Sequence, residues 1–355
     1  VFTGAQTSDI LRYSVRLLPL RPMKDSAPML QFGSCCRQTS GNTMENLAFG
    51  ALSGPLLMLL SFVGLGFVAA RRLAVDPRPI ATLLIYLIAP FTFFRALMNG
   101  GPTPDYVLLT LILFCLSSAI ALTVRRLTRH RFGAQEGALL AFSSGTGNTG
   151  YFGLPVALIV LPPAGVTQYL FCILGITLYE FTVGFYLSAR GQFSIRQSLV
   201  KIVRLPLIYA FLAALLLAQL DIALPDALMT SLDVFPATYT LLGMMIIGMT
   251  LSRVTLAAWD TRLIVACTLL RYGVWPLATL GTVLLLQAFF ALSADLAMAI
   301  LLLGVVPMAA NVVVVAMELG MQPQKGALAV LVTTLLAPLV IPLYLAGMLT
   351  LTGLG

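Results

Sequence analysis

The stretch Ser143-Ser144-Gly145-Thr146-Gly147-Asn148-Thr149-Gly150-Tyr151-Phe152-Gly153-Leu154-Pro155 lies inside a long apolar run. Four glycines, a proline and several hydroxyls at membrane depth cannot form an ordinary lipid-facing helix. Glycine costs up to about 1 kcal/mol and proline about 3 kcal/mol in a helix interior. Backbone freed there must be buried in protein or face a wet cavity. A milder version recurs with Gly304, Pro307 and Asn311. A broken helix leaves free N–H groups and a positive dipole end, which favour an anion. Asn148 and Asn311 add neutral donors and acceptors without the cost of a buried charge. The expected site therefore comprises Gly145, Thr146, Gly147, Asn148, Thr149, Gly150 and Pro155 in the first break, with Pro307 and Asn311 in the second. Close packing of small residues would explain the glycines, but not Asn148 or Pro155.

Ionisable residues inside apolar runs are functional candidates by default. Glu180 could carry a coupling proton or belong to a structural ion pair. Arg271 could guide an anion towards the breaks. Arg95 and Glu318 fit the blander reading of side chains snorkelling to an interface. The expected crossing of the two breaks holds amides and hydroxyls but no carboxylate. Five cysteines, none paired at metal-ligand spacing, and a single histidine, His130, give no metal centre, no cofactor site and no His-based triad. An intramembrane enzyme is thus a weak alternative.

These residues need elements to carry them. Of the 355 residues 59% are hydrophobic and only 10% charged. Soluble domains are about a quarter charged, so lipid must cover much of this chain. The net charge of +8 does not indicate nucleic acid, because the basic residues lie in short clusters between apolar runs. Ten spans follow from the need for roughly 20 apolar residues each. They are Phe49–Ala70, Ile80–Met98, Tyr106–Val124, Glu136–Val160, Thr167–Ala189, Leu205–Leu220, Ala227–Leu251, Leu263–Phe290, Ala294–Leu319 and Gly326–Leu351. Lys and Arg occupy the loops after spans one, three, five, seven and nine. The loops after spans two, four, six and eight have none. The odd loops therefore face the cytoplasm and both termini lie outside. Residues 1–43 are Arg-rich and lack a long apolar run. They read as a disordered or non-native extension, with an organellar transit peptide as the alternative.

Prolines expose an internal repeat. Pro55 and Pro206, Pro90 and Pro236, and Pro155 and Pro307 pair at offsets of 151, 146 and 152 residues. Each half holds five spans, so residues 205–355 would enter the membrane opposite to residues 44–204. This is the inverted-repeat arrangement of secondary transporters. The expected fold is an all-α polytopic membrane protein with ten transmembrane helices, of which the fourth and ninth are broken.

The Asn148-Thr149-Gly150-Tyr151-Phe152-Gly153-Leu154-Pro155 motif resembles the broken fourth helix of the auxin efflux carrier family, which includes plant auxin exporters and bacterial malate or malonate permeases. Val306-Pro307-Met308-Ala309-Ala310-Asn311 with Ala316-Met317-Glu318 is similar to its ninth helix, and Thr333-Thr334-Leu335-Leu336-Ala337-Pro338-Leu339-Val340-Ile341-Pro342 to its last. Leu319 stands where the family usually has tyrosine. The resemblance implies two inverted five-helix repeats crossing at the prolines. It also implies a scaffold of spans one, two, six and seven, a moving domain from the rest, and often a homodimer. The short link between the halves looks bacterial, which places the protein in an inner membrane. The expected activity is transport of a small mono- or dicarboxylate by alternating access. A sodium-coupled symporter of the bile-acid type is the alternative, disfavoured by the expected lack of a carboxylate at the crossing.

The loop charges make the topology testable. Cysteines introduced at Thr103 and Asp221 should react with a membrane-impermeant reagent added outside intact cells, and one at Gln192 should not. Labelling at Gln192 with protection at Thr103 would invert the orientation.

Overall fold

The computed structural model describes residues 42–188 and 205–352, with side chains from residue 54 onward except those of residues 256, 318, 346 and 348–352. The N-terminal extension up to residue 41, Cys35, Cys36 and the basic link of residues 189–204 lie outside the described residues, as does the side chain of Glu318. Among the described residues every regular element is helical. In chain order they are α1 (Asn42–Arg72), α2 (Pro77–Gly100), α3 (Pro104–Thr128), α4 (Ala134–Ser144), α5 (Leu154–Val160) and α6 (Pro163–Ser188). Then follow α7 (Pro206–Gln219), α8 (Asp226–Leu251), α9 (Thr261–Phe289), α10 (Ala294–Val305), α11 (Asn311–Leu319) and α12 (Pro323–Thr352). Seven helices among the described residues are long and apolar enough to cross a membrane; α7 and α10 are shorter apolar helices. The chain is a polytopic, all-helical membrane protein.

Prolines explain the helix irregularities. A proline cannot donate to the carbonyl four residues back, and its ring collides with that carbonyl. A wider π turn relieves the conflict. The π turns Leu84–Ile88, Thr149–Gly153 and Leu270–Val274 each end two residues before a proline, namely Pro90, Pro155 and Pro276. A fourth, Glu180–Gly184, has no such proline and falls instead at a titratable side chain.

The long helices shield the short ones. Leu57, Leu65, Leu108, Leu212, Leu285 and Leu339 point outward and are exposed, as a lipid-facing surface requires. By contrast, every residue of 137–149 and of 299–310 is buried. The most extensive pairings run between α1 and α8, α3 and α6, α2 and α8, α2 and α7, and α9 and α10. Arg95, expected to reach towards an interface, pairs with the half-exposed Asp233. Its guanidinium is mostly buried and meets Asp233 at 2.8 Å and the Met229 carbonyl at 3.1 Å, which ties α2 to α8. Glu136, at the start of α4, is held by Lys325 of α12 at 2.6 Å, and Lys325 also meets Asp260 before α9 at 2.7 Å. That contact holds the Asp260 carboxyl below its ordinary pKa. Asp260 also caps α9 by accepting from the Leu263 N–H at 3.1 Å.

Helices α1 and α8 approach so closely that glycine is required at their contact. A Cβ on Gly248 would run into the Val63 carbonyl and lie 2.8 Å from the Phe67 nitrogen; one on Gly66 would strike the Met245 carbonyl. Backbone atoms cannot swing away as a side-chain tip can. Gly248→Ala should therefore destabilise the protein by about 1–3 kcal/mol, the usual cost of overpacking. Gly281→Ala in α9, where a Cβ meets nothing within 4 Å, should be neutral or slightly stabilising. Thermal unfolding of the purified proteins in detergent distinguishes them; equal Tm values would contradict the close α1–α8 contact.

Candidate functional site

Two helix interruptions meet at the centre of the buried region. Helix α4 stops at Ser144, residues 145–148 are non-helical, and the chain resumes through the π turn Thr149–Gly153 into α5. Helix α10 stops at Val305, residues 306–310 are non-helical, and α11 begins at Asn311. The interruptions are joined directly, because the Asn148 N–H donates to the Pro307 carbonyl at 2.8 Å.

Each interruption strands carbonyls at the end of the preceding helix. Donors from neighbouring helices meet them. Trp275 of α9 donates from Nε1 to the Ser144 carbonyl at 2.7 Å. The Tyr179 hydroxyl of α6 reaches the Ala141 and Phe142 carbonyls, both at 3.0 Å. Arg271 of α9 donates to the Leu303 and Val306 carbonyls at the end of α10, and to the Thr146 carbonyl at 3.4 Å. Its guanidinium also lies 4.9 Å from the Trp275 ring centroid. One buried cation thus serves both interruptions. Gly147 gives it room, since a Cβ there would lie 2.6 Å from the guanidinium carbon.

Beside the interruptions is a cavity of about 110 Å³. Its polar groups include Asn148, Thr149, Thr177, Glu180 and Asn311, and aromatic lining comes from Phe93, Tyr151 and Tyr239. The Asn148 side chain accepts from the Phe152 N–H at 3.3 Å through Oδ1, while its Nδ2 is buried without a partner among the described residues. Asn311 donates from Nδ2 to Glu180 Oε2 at 3.5 Å, and the Thr146 hydroxyl donates to Glu180 Oε1. No Lys, Arg or His lines the cavity among the described residues.

Of the expected site residues, Gly147, Asn148, Thr149, Gly150 and Asn311 line the cavity, and Gly145, Thr146, Pro155 and Pro307 do not. Gly145 instead packs on Tyr179, and Thr146 reaches the cavity's edge through Glu180. Pro155 opens α5 just beyond the π turn, and the Pro307 carbonyl joins the interruptions. Arg271 faces helix ends rather than the cavity. The expected lack of a carboxylate at the crossing is corrected by Glu180. Its distance of 32 residues in sequence from Asn148 hid a contact that the packing of α6 creates. Phe93 and Tyr239 were not singled out from the sequence, yet a signal was present. Each stands three residues after a paired proline, Pro90 or Pro236, and their rings meet at 6.0 Å.

No family model matches the chain. An uncharacterized transporter of Methanocaldococcus jannaschii is 25% identical to it over 179 residues, covering 48% of this chain and 58% of that protein. The chain thus spans well under two thirds of that relative's length. The match and the membrane-length helices support a transporter-like membrane protein, and point away from an enzyme.

The donor shell around the helix ends makes a sharp prediction. An orphaned buried carbonyl costs about 1–3 kcal/mol. Trp275→Phe should lower stability by about that amount. Arg271→Met should lower it further, because three carbonyls lose a donor at once, while Arg271→Lys should fall between. Membrane abundance and Tm in detergent give the order; an Arg271→Met protein as stable as the parent would refute the bridging role.

Proposed function

We propose that this chain is a secondary active transporter of the auxin efflux carrier type, which moves a small organic anion such as a mono- or dicarboxylate by alternating access. The observation that carries the proposal is the Asn148 amide. Its Nδ2 is buried, lacks a partner among the described residues, and belongs to a residue lining a cavity shared with Asn311. Leaving a buried donor unmade is expensive, so such a group points to a ligand that completes it. The N-terminus of α11 begins at Asn311 and adds a positive dipole end beside the same cavity. The rings of Phe93, Tyr151 and Tyr239 lower the polarity of the cavity wall, which would strengthen each polar contact with a bound carboxylate.

Two inverted repeats, residues 44–204 and 205–355, fit this reading. The interruptions fall at corresponding places in the two halves, and the paired Phe93 and Tyr239 meet near them. We take α1, α2, α7 and α8 as the scaffold and the other helices as the moving domain. The cavity then has walls from both, with Phe93 and Tyr239 on the scaffold side and Asn148 and Asn311 on the other. Relative motion of the two would open the site to alternate sides. A homodimer in a bacterial inner membrane, with both termini outside, completes the proposal.

A specific observation also favours the sodium-coupled symporter as a second reading. Glu180, Thr146 and Asn311 bring a carboxylate, a hydroxyl and an amide together at the interruptions, and a cation could use their oxygens. Transport that requires sodium would select this reading.

Replacing Asn148 or Asn311 with Ala should raise the dissociation constant for the carried carboxylate. A hydrogen bond to a charged group is worth about 1.5–3 kcal/mol, on the order of tenfold to a hundredfold in affinity. Asn311→Ala should leave abundance near normal, because Asn311 is only half-buried. Binding and uptake of a carboxylate panel, including malate and malonate, in detergent and in proteoliposomes provide the measurement. Parent-like binding by both variants would remove the proposed site.

A further inference from the structure

Glu180 opens the π turn Glu180–Gly184 of α6 and lines the same cavity as the two amides. Its carboxylate oxygens are met by neutral donors, the Thr146 hydroxyl on Oε1 and the Asn311 amide on Oε2. No ion pair involves it among the described residues. The ionisable groups around it are few. Tyr151 and Tyr239 line the cavity, and the Tyr179 hydroxyl is engaged by the carbonyls of α4. Arg271 is turned to the helix-end carbonyls and does not line the cavity. On the packed neighbours α3 and α4, Asp105, Tyr106, Arg125, Arg126 and Glu136 stand in the terminal turns, and Cys115 is exposed.

An ionised Glu180 and a bound carboxylate would place two negative charges in one cavity of about 110 Å³. Like charges so close and so poorly solvated force one group to take a proton. We infer that the anion binds only when Glu180 is protonated, so that each carboxylate crosses together with one proton. This inference rests on the anion site proposed above. The proton comes from the aqueous side to which the cavity is open, sits on a carboxylate oxygen, and leaves on the other side after the anion. While it is bound, Glu180 turns from acceptor to donor and joins Asn148 and Asn311 in holding the substrate. When anion and proton have left, the ionised carboxylate again accepts from Thr146 of the first interruption and Asn311 of the second. The empty site is thereby held together.

A proton suits this place better than sodium for a structural reason. The carbonyls of Thr146, Leu303 and Val306, which would otherwise coordinate a cation at the helix ends, already accept from Arg271.

The test uses the full chain, purified in detergent, with malonate and malate as probes. Their affinities are measured between pH 6.5 and 9 in choline and in sodium buffers, alongside proton uptake in weakly buffered solution. For the parent, affinity should fall about tenfold per pH unit once Glu180 ionises, and close to one proton should be taken up per bound anion under alkaline conditions. Glu180→Gln should bind with an affinity independent of pH and take up no proton, and Glu180→Asp should restore both responses. If Glu180→Gln fails to fold, the parent's proton uptake decides the matter. Parent binding that is independent of pH, or a pH response that survives in Glu180→Gln, overturns the inference while leaving the anion site intact. Binding that needs sodium overturns it in favour of a cation at Glu180. Failure of the parent to bind either probe at any pH sinks the anion site itself, and the inference with it.

Discussion

Inside a membrane, a carbonyl at the end of a helix finds no water to satisfy it. A chain that interrupts two helices at that depth must supply every missing partner from its own side chains. Here α9 supplies most of them. Trp275 meets the end of α4, and Arg271 meets the end of α10 and the loop after α4. The guanidinium suits this task because its fork of donors can reach several carbonyls at once, and because its charge opposes the negative ends of both helix dipoles. An ammonium at the same place would offer fewer fixed directions. The cavity, the amides and Glu180 all depend on this arrangement, since without it the carbonyls at both interruptions would lose their donors.

The same demand explains the division of labour among helices. Long apolar helices face outward, and the interruptions with the helix ends that flank them lie inside. The α1–α8 contact is tight enough to require Gly66 and Gly248, which suits a rigid frame. Where lipid offers little hydrophobic drive between helices, such close backbone approach supplies the packing energy. On the face where the sequence places the cytoplasm, Lys325 gathers Glu136 and Asp260, so that α4, α9 and α12 share one ionic tie. The three segments so joined are among those assigned to the moving domain.

In the site proposed above, neutral amides and the Glu180 carboxylate would form the recognition surface for the anion. A lysine or arginine in the cavity would bind a carboxylate tightly and release it slowly. On that proposal Asn148 and Asn311 would provide donors without that trap, while the charge on Arg271 is spent on the protein's own carbonyls. Under the inferred coupling, binding strength would then be set by the state of Glu180, which a transport cycle can change.

Much of this was legible in the sequence. Sparse charges mark a polytopic membrane chain, because lipid acts on composition alone, and alternating basic loops give the expected spans and orientation. Glycine, asparagine and proline within apolar runs mark both interruptions, because their intrinsic helix costs do not depend on partners. Proline also accounts for three of the π turns. What the sequence leaves open are relations between residues far apart in the chain. Glu180 reads as a lone acid in a helix, and Arg271 as a lone base in another. Only the packing of α6 and α9 against the interruptions makes one a cavity group and the other a cap on helix ends. Arg95 likewise finds Asp233 only when α2 and α8 lie side by side. Burial and pairing depend on which surfaces meet, and that is decided by tertiary structure.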